Sequence, residues 1–84
     1  MPVIDVVWDL SDDPNGNVQH IAEHGLVKAD VEFVINNPIK RSRSRSSGRP
    51  MISGVTPSGE RIVVAYEQID ESHLYPITAY VVGE

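Results

Sequence analysis

Lys40, Arg41, Arg43, Arg45 and Arg49 fall within ten positions of one another, and side chains of that type at that density are suited to holding phosphates. In an extended stretch Arg41, Arg43 and Arg45 alternate with Ser42, Ser44 and Ser46, so the period of two projects all three guanidiniums from one face. Each guanidinium offers a planar fork that gives two hydrogen bonds to one phosphate and never loses its charge. The same Ser/Arg composition also describes a solvated loop over 40–49 with no partner, so loop and edge strand both stay open.

A second arrangement is His20 and His24, four apart and on one face of a helix. A metal reading lacks support, because Ile21, Ala22 and Glu23 do not supply the second-position glutamate of a metalloprotease helix and no third ligand is signposted. His24, next to Gly25, suits a helix end, where a protonated ring is favoured by the dipole. His73 adjoins a turn and reads as exposed. Nucleophilic catalysis finds no cysteine, no serine elbow and no phosphate-cradling glycine loop. Asp9, Asp12 and Asp13 form an acidic turn. RNA cleaved through its own 2′-hydroxyl asks less of a protein, since the nucleophile belongs to the substrate and Arg, His, Tyr or Glu suffice. Candidates for that chemistry are the arginine group, Arg61, His20, His24, Tyr66 and Tyr80; core packing is the alternative for the two tyrosines.

These side chains need a scaffold, and 84 residues make one small domain, 1–84. The absence of cysteine excludes a disulfide framework and a thiolate metal site. No run approaches the roughly 18 apolar residues of a membrane span, and Asp5 and Asp9 stand where a signal peptide carries positive charge. A cytoplasmic protein is the expectation. The formal net charge is −5, with seven basic and twelve acidic residues. Outside 40–49 only Lys28 and Arg61 are basic, so contact with a polyanion must be local.

Val3 to Trp8 is β-branched and aromatic and reads as a strand. Ser11 to Gly16 is turn chemistry. Val18, Ile21 and Ala22 have helical spacing, with Gly25 just past the helix end. Val27, Val31, Val34 and Ile35 mark a second helix over about 28–37, which Pro38 stops. Met51 to Thr56 and Glu60 to Glu67 form a hairpin around Pro57-Ser58-Gly59. Ile62, Val64 and Tyr66 on one face and Val63 and Ala65 on the other predict a central strand buried on both sides. In the last strand, His73 to Val82, the alternation puts Tyr75, Ile77, Ala79 and Val81 toward the core. The expected class is α+β: an N-terminal strand, two short helices, then a three- to four-stranded antiparallel sheet with the helices on one side.

Trp8-Asp9 after the first strand, Asn17, His24-Gly25 closing a short helix and Asn37-Pro38 ending the next resemble the BrnT-type toxins of bacterial toxin–antitoxin pairs. Gly54, the run Ser58-Gly59-Glu60-Arg61-Ile62-Val63-Val64-Ala65-Tyr66 and the final Tyr75-Pro76-Ile77-Thr78-Ala79-Tyr80 continue that likeness along nearly the whole chain. The resemblance implies a RelE-like fold, mRNA-cleaving activity that halts translation, no cofactor, and a cognate antitoxin that covers the site. His24 matches the family pattern directly. The family reads Lys-His-Gly at the helix end and Ser-Ala-Arg in the last strand; here Glu23 and Tyr80 stand at the two basic positions. Losing cations from a phosphate-handling site costs about 3–4 kcal/mol of transition-state stabilisation per group on the scale of an oxyanion-hole donor. The expectation is therefore a divergent member that binds RNA through Lys40, Arg41, Arg43, Arg45 and Arg49, with His24, Arg61 and Tyr80 as catalytic candidates and nuclease activity weak or lost. The alternative is a non-enzymatic module that docks an acidic protein through its basic loop or sheet edge, and phosphorylation of the serines between the arginines is a third reading.

Overall fold

The computed structural model describes residues 4–46 and 48–82. Their order is β1 (Asp5–Val6), α1 (Asn17–Glu23), α2 (Lys28–Asn36), β2 (Lys40–Arg43), β3 (Pro50–Val55), β4 (Arg61–Gln68) and β5 (His73–Val81). Val3, Ser47 and the chain ends at 1–2 and 83–84, which belong to the expected first strand, the Ser/Arg tract and the domain limits, lie outside the described residues.

The architecture is α+β, and the sheet differs from the all-antiparallel one that the sequence predicts. Five strands lie in the order β1-β5-β4-β3-β2. β2, β3, β4 and β5 are antiparallel neighbours, but β1 runs parallel to β5 through Asp5↔His73 and Val6↔Leu74. The first and last strands thus lie side by side at one edge, and the long segment between them, which includes the helices, makes the crossover that a parallel pair requires. β1 is also shorter than the apolar run from Val3 to Trp8 suggests. Beyond Val6 the chain bends away, and Trp8 Nε1 donates to Glu32 Oε2 at 2.8 Å.

Gly25 closes α1 with φ +76°, the left-handed conformation that glycine adopts without a steric penalty. Val31, Val34 and Ile35 are buried, as the helical stripe predicts. Val27 is not part of that stripe: it is the N-cap, 60% exposed, and its N–H donates to Asp30 Oδ2 at 3.3 Å. Together with Ile21 and Leu26, the three α2 residues pack on Ile52, Ile62, Val64, Tyr66, Leu74 and Ala79 in one core. α1 lies on β5, and α2 on β3 and β4. Gly54 lets β3 approach α2, since a Cβ there would stand 3.0 Å from Val34 Cγ1.

β4 is the middle strand, but Val63 and Ala65 are only half-buried. In β5 Ala79 is buried as the sequence reading has it, but the first half of the strand is out of phase: Leu74 and Pro76 are buried, Tyr75 and Ile77 are half-buried, and Val81 is exposed. The register explains this. Ala65 pairs with Thr78 and Tyr66 with Pro76, leaving Ile77 as an extra residue. Such a bulge reverses the inward phase, and it accommodates a proline that cannot donate to a ladder.

Candidate functional site: a basic sheet edge and a band across the open face

The stretch 40–49 is an edge strand followed by a turn. All four residues of β2 are exposed. Register divides them: Arg41 and Arg43 pair with Ile52 and Pro50 on the helix side of the sheet, whereas Lys40 and Ser42 pair with Ser53 and Met51 on the open side. The single face of three arginines is therefore corrected to two, because Arg45 lies past the strand end, in a turn, and strand periodicity does not reach it. That turn is closed by Ser44 N to Arg49 O at 2.9 Å and Gly48 N to Ser44 O at 2.8 Å. Arg43 Nη1 donates to Gly48 O at 3.1 Å, so part of its fork is already spent on the turn.

Arg61, the first residue of β4, joins this edge from the open side. With Lys40, Ser53, Gly54 and Ile39 it lines a shallow pocket of about 150 Å³. Six of the seven basic residues thus lie on β2, its turn and the first residue of β4, with Lys40 and Arg61 near one end of β3, Arg45 and Arg49 at the other, and Lys28 apart on α2.

Arg61 also reaches the other candidates. Val63 pairs with Tyr80, and Val82 N donates to Arg61 O at 2.9 Å, which makes Arg61 and Tyr80 diagonal cross-strand neighbours, about 7–8 Å apart. The Tyr80 ring in turn lies against His24, with centroids 6.3 Å apart and planes at 56°. His24 occupies the C-cap of α1, where its N–H bonds Ile21 O at 3.0 Å. His24, Tyr80, Arg61 and Lys40 therefore form a continuous band from the end of α1 across the sheet to β2. An imidazole, a phenol and two cations along one line have the functional groups for phosphate binding and proton transfer. Glu23 and Tyr80, at the positions the resemblance makes basic, are both exposed. His20 does not join the band, since its Nδ1 faces Ile77 O at 3.5 Å. Tyr66 is a core residue, 6% exposed. Among the described residues, no cluster of His, Cys, Asp and Glu is arranged to hold a metal, and no helix is long and apolar enough to cross a membrane.

Two polar constellations escape the sequence reading. Asn17 is buried: its Nδ2 donates to Val7 O at 3.0 Å and Pro76 O at 2.9 Å, and its Oδ1 accepts from Asp9 N at 2.9 Å. Its own N–H donates to Asp9 Oδ2 at 2.9 Å, and the Tyr75 hydroxyl donates to the same oxygen at 2.5 Å. That hydroxyl and the Asn17 N–H hold the Asp9 carboxyl below its usual range, while the carboxylate and burial push the Tyr75 phenol up to about 12. Asp9 thus ties elements together and is not part of a free acidic patch. The second constellation is His73, expected to be merely exposed. Its Nδ1 lies 2.8 Å from Asp70 Oδ1 and its Nε2 3.7 Å from Asp5 Oδ2. The first contact raises the imidazole above its ordinary value, helped by Asp5, and lowers the Asp70 carboxyl. The Asp9–Asn17–Tyr75 set and the Asp5–His73 contact have no local sequence signal, because partners are up to 68 positions apart, whereas Asp70 and His73, three apart in one turn, could have been paired from sequence.

The fold and this band define an α+β domain with a five-stranded mixed sheet, helices on one face and a basic edge on the other side of its hairpins. No family model, curated protein or solved structure matches the chain.

Proposed function

We propose that this chain is a divergent BrnT/RelE-like domain that binds RNA, with mRNA endoribonuclease activity weak or lost. The observation that carries the reading is the meeting of Lys40 and Arg61 at one pocket, beside Arg41, Arg43, Arg45 and Arg49 on the edge strand and its turn. A chain of net charge −5 whose cations are concentrated on the edge strand β2, its turn and the neighbouring start of β4 has one side on which a polyanion is attracted. RNA supplies its own 2′-hydroxyl nucleophile, so the band of His24, Tyr80 and Arg61 needs no cofactor. Glu23 beside His24 adds a negative charge where the phosphate would lie, and Tyr80 supplies a neutral phenol in place of a cation; both support weak chemistry. A cytoplasmic setting and a cognate antitoxin belong to the same reading.

The test is cleavage and gel shift of a generic single-stranded RNA by wild type, His24→Ala and Arg41/43/45→Ala. Neutralising about three phosphates gives a log-log salt slope of roughly −2 on a single strand. Binding should fall steeply in the triple variant, and any cleavage should disappear in His24→Ala. A double variant, Glu23→Lys/Tyr80→Arg, should raise cleavage at least tenfold. Absence of binding by wild type at low salt would sink the proposal. The fully exposed β2 edge favours as second reading an acidic peptide partner that adds a strand to β2, recognised by peptide binding in the absence of any RNA binding.

A further inference from the structure

β4 is patterned for burial on both sides, yet it is covered on one. Ile62, Val64 and Tyr66 lie beneath the helices, whereas Val63 and Ala65 are half-buried on the face that the helices leave open. Beside them in register lie Met51 and Val55 of β3, with Met51 opposite Ala65 and Val55 opposite Arg61. An antiparallel sheet whose second face meets water alternates apolar with polar residues. Here Met51, Val55, Val63 and Ala65 share the open face with Ser53, Thr78 and Tyr80, so a mixed surface with a half-buried apolar strip along β4 is left uncovered.

The charges at the two ends of β4 indicate what the cover is. Arg61 and Glu67 are exposed, share the open face with Val63 and Ala65, and stand three positions either side of Val64. A two-fold axis lying in that face and crossing β4 at Val64 sets Arg61 opposite the partner's Glu67, and Glu67 opposite the partner's Arg61. The same axis sets Val63 against the partner's Ala65. Packed sheets lie about 10 Å apart, a gap that facing Arg and Glu side chains span together. Self-complementarity of this kind is what an isologous contact requires. We infer that the open face of β3, β4 and β5 is a self-association surface, on which a second copy of this chain packs sheet to sheet with Arg61–Glu67 pairs at both ends. Arg41 and Arg43, on the helix side, stay outside it, whereas Arg61 and Tyr80 of the band lie within it, so a second copy and RNA at the band exclude one another. The uncovered sheet measures about 20 by 20 Å from strand spacing and rise, roughly half the area per partner of a standard interface. An interface of that size belongs to the weak, transient class, so association is to be sought at high protein concentration.

Sedimentation equilibrium of the full chain without RNA, from about 10 to about 500 µM, tests this and is independent of whether the basic edge binds nucleic acid. Mass should climb from monomer toward dimer across that range. Arg61→Glu should weaken association at least tenfold, and Arg61→Glu/Glu67→Arg should restore it, with circular dichroism confirming that each variant is folded. Concentration-dependent amide shifts should fall on Ser53, Val63, Ala65 and Thr78. A monomer at the highest concentration, a folded charge-swapped variant that stays dissociated, or shifts confined to 40–43 would each overturn the inference.

Discussion

Asn17 joins positions that are 10 and 59 residues away in sequence through Val7 O and Pro76 O, so its loss would leave two carbonyls and the Asp9 N–H without this partner. Asn17→Ala should destabilise the domain by about 3 kcal/mol, the cost of stranded buried polar groups, read as a lower urea midpoint. Spectrophotometric titration should show one phenol ionising near 12, and Tyr75→Phe should remove that step. The same substitution should let the Asp9 carboxyl rise toward its ordinary 3.8. His73 gives a pH dependence whose sign follows from its neighbours. Its raised imidazole contributes stability that is full below the ordinary 6.5 and is lost as pH climbs through the folded value above it. Asp70, lowered from 3.8, contributes above that value and loses its contribution as pH falls through the lower folded one. Both contributions coexist between about 4 and 6.5. All three side chains are well exposed, so solvent screens the effect and it stays small. In His73→Gln the melting temperature should fall slightly within that window, and its decline as pH climbs above 6.5 should flatten.

At the scale of elements, the hairpin, both helices and the glycine stop at Gly25 follow from local chemistry, and the structure contains them near the positions the sequence predicts. The misreadings have a common origin. A period-two pattern in β5 fails at Ile77 because the bulge is set by pairing with Ala65 and Tyr66 on another strand. Val27 fits the α2 stripe numerically, but the helix begins one residue later and leaves it at the cap. Gly54 lies within β3 against Val34 and Asn37 O, a close approach between distant segments that no local pattern signals. Gly54→Ala should force β3 and α2 apart at a cost of about 1–3 kcal/mol, measured by chemical denaturation, whereas an alanine at nearby exposed Ser58 should change little.

Across the whole molecule, charge segregation is the property with the clearest consequence. Six cations on β2, its turn and the start of β4, toward the β2 end of the strand order, predict that RNA affinity falls steeply with salt, and that Lys40→Ala or Arg61→Ala lowers the slope by about one each. Lys28→Ala, away from that end, should leave it unchanged; filter binding at several salt concentrations distinguishes these. The residue types alone determined the α+β class, the turns and the density of positive charge at 40–49, because each is a consequence of local spacing. Only the tertiary structure decided that β1 pairs with β5, that Arg41 and Arg43 point away from Lys40, and that His24, Tyr80 and Arg61 lie in one band. Those facts depend on strand order and register, which are fixed by contacts between distant segments burying a shared core, and no local pattern encodes them.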